Sequence, residues 1–296
     1  MRRHIFLLAF FLLFSIKPST AHLTGTSAAS VVPDFEKRSV IQSADIYLHK
    51  GGNETLGQVR AKALSKARRS ILVGVRGYLD SALTIGEERL EYDIVKDGDG
   101  HPVRILQKKD LGLDERGRYH MQVTGEVRYT LRELIYESRI RSAALMKEGN
   151  PLTVKVWTDR KEYEEGDKIQ VFVEGNRNFY GKVIRVDAEG KATQILPNNY
   201  RQISYFKKGK TCTVPDEGDR FIMEVTPPFG KERFVVFASG EPLSRRNMKT
   251  VAGGLYQYRG RFSSLERSVR ASIPLSGEAM TEFYEGVWEI SEFPRQ

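Results

Sequence analysis

Between Leu152 and Leu243 the chain alternates short apolar-polar runs with turn residues, a rhythm that admits an antiparallel sheet and little else. Leu152, Val154 and Val156 alternate with polar residues, and Ile169, Val171 and Val173 do so again; alternation of this kind places one face of each strand in a core. Tyr163 to Asp167, Asn176-Arg177-Asn178, Pro197-Asn198-Asn199 and Pro227-Pro228-Phe229-Gly230 supply bends. Asp187-Ala188-Glu189-Gly190 suits a type I turn with glycine in the left-handed position, joining two strands in a tight hairpin. Further strands are expected at Phe179–Val186, at Ile195-Leu196, at 203–206 and 211–214, at Phe221–Val225 and at Arg233–Ser239. About seven short strands without a long helix between them define a β-sandwich.

The segment before it reads differently. Thr55 and Gln58 form a capping box, and Leu56, Val59, Ala63, Ala67, Ile71, Val75 and Tyr78 recur every three or four residues. This spacing predicts one long helix with a single buried face. Small Ala63 and Ala67 at its centre allow a sheet to approach closely. Arg60, Lys62, Lys66, Arg68 and Arg69 fill the other face, which is more often a solvated surface than a phosphate site. Strands are expected around Ile46-Tyr47-Leu48 and near 89–95, 102–108 and 118–129, with Asp97-Gly98-Asp99-Gly100 as a hairpin turn. An EF-hand loop would need a glutamate at its twelfth position, which is missing. Residues 130–147 have helical spacing, and Gly149-Asn150-Pro151 marks a boundary. Beyond Leu243, Phe262–Ala271 and Glu278–Glu285 read as short helices and Val287–Phe293 as a closing strand. The fold class is therefore α+β: a small sheet with a long helix at 44–148, a β-sandwich at 149–245, and helices with a closing strand at 246–296.

Residues 1–21 carry Arg2 and Arg3, an apolar run from Ile5 to Ile16, and Ser19-Thr20-Ala21. That is the layout of a signal peptide cleaved after Ala21, since the run is short of the roughly 20 residues a bilayer span requires. Residues 22–43 read as a flexible lead-in. Removing Arg2, Arg3 and Lys17 lowers the formal net charge from +9 to +6. The single Cys212 excludes an internal disulfide and follows too late to be a lipid-bearing N-terminal cysteine. Export to a bacterial envelope, periplasmic or secreted, is the compartment expected.

The central stretch resembles a bacterial domain-of-unknown-function family, number four-three-eight-four. Tyr163-x-x-Gly166-Asp167, Phe179-Tyr180-Gly181, Val186 to Lys191, Ile195-Leu196-Pro197-Asn198, Pro227 to Gly230 and Phe237-Ala238-Ser239 carry the resemblance in order. It implies an exported β-sandwich with no agreed activity. Residues 44–129 are also similar to the α+β module of LPP-twenty-type lipoproteins and of the N-terminal part of flagellar assembly protein T, through the strand, the alanine-rich helix and the returning strands.

No reaction can be read from the residues. His22, His49, His101 and His120 show no metal-ligand spacing, and the nucleophile-elbow, phosphate-loop and HExxH signatures are missing. Cys212 sits in an alternating strand and reads as a structural thiol. No cofactor or metal is expected. Binding is the stronger expectation: Tyr180, Asn198, Tyr200, Arg201, Tyr205, Lys207 and Lys208 gather aromatics and cations near one end of the sandwich. Rings stack on sugars or peptides, and cations pair with carboxylates or phosphates. The reading is an exported, non-catalytic adaptor for envelope proteins or cell-wall polymer, with no nucleic acid expected and the membrane met only through export. An unrecognised envelope hydrolase, or a binder of anionic polymer or nucleic acid, stands as the alternative.

Overall fold

The structure, a computed structural model, describes residues 34–85, 88–132, 145–146, 150–244 and 248–296. The expected signal peptide and most of the helix expected at 130–147 lie outside the described residues. In the first half, β1 (Phe35–His49) is followed by helix α1 (Leu56–Ala82) and the two-residue strands β2 (Thr84–Ile85) and β3 (Glu88–Arg89). Then come β4 (Tyr92–Val95), β5 (Arg104–Leu113) and β6 (Arg118–Leu131). The sandwich segment supplies β7 (Val154–Thr158), β8 (Glu162–Glu164), β9 (Val171–Gly175), β10 (Phe179–Val186) and β11 (Ala192–Leu196). It continues with β12 (Tyr205–Phe206), β13 (Cys212–Val214) and β14 (Gly230–Ser239). The chain closes with β15 (Met248–Thr250), β16 (Tyr256–Tyr258), helix α2 (Phe262–Ala271) and β17 (Met280–Phe293).

One 12-stranded sheet runs through both halves in the order β15-β16-β11-β10-β14-β17-β1-β6-β4. The last strand is thus an interior strand. β17 pairs antiparallel with β14 (Phe234↔Trp288) and with β1 (Arg38↔Tyr284), while β1 pairs with β6 on its far side (Val40↔Val127). A three-stranded sheet, β13-β9-β7, faces the β10, β14 and β17 part of this large sheet and completes the sandwich. By the strand registers, α1 lies on the same side, over β1 and β6. Helix α2 covers the other side.

The long helix forms as its sequence dictates. Gln58 N donates to Thr55 Oγ1 and Thr55 N donates to Gln58 Oε1, and Val59, Ala63, Ala67, Ile71, Val75 and Leu79 are buried. Its close seat on the sheet requires a glycine beneath it, because a Cβ on Gly125 would lie 2.7 Å from Val103 Cγ1 and 3.0 Å from Ile71 Cδ1. The β10–β11 hairpin also forms as expected. Gly190 adopts φ +83° and Asp187 Oδ1 accepts the amides of Glu189 and Lys191.

Four elements differ from the sequence reading. The lead-in ends where β1 begins at Phe35, so residues 35–43 are strand. Residues 280–285, read as helix, are the start of β17. Both strands are covered on two faces, so polar Arg38, Ser39, Gln42 and Glu285 are buried beside apolar neighbours and the period-2 signal is blurred. Asp97–Gly100 does turn the chain, with Asp97 Oδ1 accepting from Asp99 N and His101 N, but β4 and β5 do not pair with each other. They lie end to end along the same edge of β6 (Tyr92↔Leu131, Arg104↔Glu126). Finally, residues 221–225 make a single bridge, Lys168↔Glu224, in place of a strand.

Candidate binding rim of the sandwich

After β11 the chain leaves the sheet at Leu196-Pro197 and returns as β12 beside the start of β10, along the same edge that β11 pairs. Asn198 builds this connection. It is fully buried, its Nδ2 donates to Ile195 O, and its Oδ1 accepts from Tyr200 N and Arg201 N at 2.8 and 2.7 Å. Its polar groups are spent on the turn. Arg201 is similarly engaged: it pairs with Asp216, reaches Asp219 Oδ2 at 3.0 Å and donates to Thr213 O, with only 12% of its side chain exposed. Both residues hold the loop in shape and leave contact with a partner to their neighbours.

Those neighbours are exposed. Tyr205 packs edge-on against Tyr180, its directly opposed partner across β10 and β12, with ring centroids 5.1 Å apart. Tyr200 rests on Gly254, where a Cβ would meet its ring at 2.6 Å, and Arg220 lies 5.6 Å from the same ring. Tyr200, Ile203 and Tyr205 are each nearly half exposed. Lys207 and Lys208 occupy the exposed turn that follows, where Lys208 N donates to Asn178 Oδ1. The structure therefore joins Tyr180 to Tyr205, sets Tyr200 beside Arg220, and withdraws Asn198 and Arg201 into support.

Arg220, Ile203 and Ile222 were not legible in the sequence. Ile222 is 62% exposed and stands at a cleft of about 250 Å³ that it shares with Leu255, Ile195, Met223, Arg185 and Glu232. An apolar residue in an aperiodic loop gives no periodic signal; its neighbours Arg220 and Phe221 were the available hint. At the inner end of the cleft, Arg185 grips Glu232 with two bonds of 2.6 and 2.7 Å, and Glu292 lies 3.6 Å from the same guanidinium. Burial and then the charge of Glu232 push the Glu292 carboxyl up to about 7.

Elsewhere, His120 Nε2 pairs with Asp45, Tyr47 stacks on the imidazole at 4.1 Å, and the Arg118 guanidinium lies 4.8 Å from the Tyr47 ring. His101 Nε2 lies 3.3 Å from Arg68 Nη1. Cys212 is half-buried, and burial pushes its thiol up, away from the thiolate form that nucleophilic chemistry uses. Among the described residues no group of three or more His, Cys, Asp and Glu is placed to hold a metal ion. Among them, too, no helix is long and apolar enough to cross a membrane.

Residues 162–242 match the family model described as a domain of unknown function (DUF4384). The match runs from β8 to just past β14 and contains the whole rim from Tyr180 to Lys208. It leaves out β7 and β17, which complete the sandwich in this chain. No curated protein matches the chain.

Proposed function

We propose that the chain carrying this domain is an exported, non-catalytic binding module of the bacterial envelope, which holds a partner protein on the rim formed by Tyr180, Tyr200, Ile203 and Tyr205. The observation that carries the reading is the set of large apolar side chains exposed between β11 and the end of β12: Tyr200 with Arg220 against its ring, Ile203, and Tyr205 packed on Tyr180, with Lys207 and Lys208 following. Protein interfaces favour an aromatic centre with a polar margin, and tyrosine supplies contact area at low entropic cost. The supporting loop is rigidly tied by Asn198 and Arg201, so the rings are presented with little ordering left to do on binding. Export rests on the residue pattern of 1–21.

The test is photo-crosslinking in intact cells, with a photoreactive residue at position 205 or 207 and a control at exposed Lys96 in the other half of the sheet. The same envelope protein should be captured at both rim positions, be missing at position 96, and be lost when Tyr200→Ala and Ile203→Ala are added. Adducts that a wall-degrading enzyme removes would move the reading to cell-wall polymer. Identical capture at all three positions would defeat the rim altogether.

A further inference from the structure

From Leu56 to Ala82, α1 contains six basic residues and one acidic one, Asp80 in its last turn. Lys62, Lys66, Arg69, Val73 and Arg76 follow one another at intervals of four and three, so they form one line along the helix, opposite buried Ile71. All five are exposed. The N-terminal end of the basic face is already neutralised, since Lys62 pairs with Glu54 and Arg60 with Asp110. Lys66, Arg69 and Arg76 have no ion-pair partner among the described residues. Beyond the far end, Asp80 continues the line four residues after Arg76 and accepts from the Tyr92 hydroxyl at 3.1 Å, while Glu91 and Asp93 are held by Arg132 at 2.9 and 2.7 Å.

Three cations without an ion pair among the described residues thus stand on a rigid rod over about 15 Å, at the helical rise of ~1.5 Å per residue. Ala63 and Ala67 seat that rod on the sheet, so its spacing is fixed before anything binds. The line is one side chain wide. Its one apolar member, Val73, offers too little to insert into a lipid layer. Such a line matches a chain-like anion. Arginine forks favour phosphate oxygens, which accept two parallel hydrogen bonds.

We propose that the outer face of α1 is a second binding surface, taking a linear polyanion with phosphate groups along its length through Lys66, Arg69 and Arg76. Three phosphate contacts set the salt dependence: log Kd against log salt should have a slope of about 2.

The test uses the full mature chain and end-labelled linear inorganic polyphosphate, followed by fluorescence anisotropy at several salt concentrations, with polyglutamate as the carboxylate arm. K66A/R69A/R76A should weaken polyphosphate binding at least about tenfold and flatten the salt slope. K207A/K208A/K210A removes the same charge from the rim and should change binding less than about twofold. K66R/R69K/R76K keeps the charges and should retain binding, which separates loss of contacts from loss of fold. Equal losses in the two alanine triples would reduce the effect to net charge and overturn the proposal, as would failure of the native chain to bind. Equal affinity for polyglutamate would refute the phosphate preference. Because the rim triple leaves α1 intact, this outcome is independent of what the rim holds.

Discussion

Arg270→Ala should cost about 3–5 kcal/mol of stability, the range observed when one partner of a buried ion pair is removed. Arg270 projects from α2 into the sheet, with Nε 2.8 Å from Glu126 of β6 and Nη2 2.6 Å from Glu285 of β17. Its guanidinium also lies 4.6 Å from the Phe283 ring. Both carboxylates are at most 1% exposed. After truncation, Glu285 keeps Lys37 at 2.7 Å, whereas Glu126 keeps only Arg104 at 3.6 Å, so most of the loss falls on Glu126. Burial opposes ionisation of Glu285, but Arg270 and Lys37 overcome it and hold that carboxyl below its ordinary value. Adding Glu126→Gln to the alanine variant should recover about 1–2 kcal/mol, since an amide costs less to bury than an uncompensated charge. Urea unfolding of the native protein, Arg270→Ala, Glu126→Gln and the double variant measures this directly. A loss under about 1 kcal/mol in Arg270→Ala would mean that the cluster is solvated and holds nothing together.

Glu292→Gln should instead stabilise the protein, and only above mildly acidic pH. Glu292 lies on β17 opposite Gly230 of β14 and Tyr163 of β8, facing a guanidinium already taken by Glu232. One guanidinium cannot fully compensate two buried carboxylates, so the native state favours the protonated form of Glu292, up to about pH 7. The unfolded chain releases that proton near the ordinary 4.5. A group that binds its proton more tightly when folded stabilises fully below the unfolded value, and that contribution is lost as pH rises to the folded value. Glutamine resembles the protonated acid at every pH. The two proteins should therefore be equally stable below pH 4.5, diverge between 4.5 and 7, and differ by a constant amount above 7 in favour of glutamine. The plateau should be about 1–3 kcal/mol, allowing for partial solvent access at the cleft. A difference that stays flat from pH 4.5 to 8, or favours glutamate, would contradict this.

Where one face of an element meets solvent, its residues announced it. The α1 stripe, the Asp187–Gly190 hairpin and the alternation in β7 and β9 were readable because buried and exposed positions differ in kind. In β17 they do not differ: Tyr284, Trp288 and Ile290 face the small sheet, while Phe283, Glu285 and Val287 face α2. Buried Glu285 and Glu292 are acceptable there only because Arg270 and Arg185 sit more than ten residues away in sequence, a pairing that local pattern cannot reveal. The same limit applies at the rim. Aromatic and basic residues between Tyr180 and Lys208 were visible as composition, but composition does not say that Asn198 and Arg201 turn inward while Tyr200 and Tyr205 turn outward. Arg220 was set beside Tyr200 only by the fold.

The placement of β17 between β14 and β1 makes the sandwich and the helix-bearing half one sheet, so the rim and the α1 stripe are carried on a single body. Two probes report on the halves separately. Trp157 and Trp288, the two tryptophans of the chain, lie on β7 and β17 at the sandwich, whereas most of the helical circular dichroism comes from the 27 residues of α1. Unfolding in urea followed by both signals should give one shared midpoint, and Arg270→Ala should shift both by the same amount. Two separated transitions, with α1 melting while the tryptophan signal keeps its native value, would show that β1 and β17 do not join the halves.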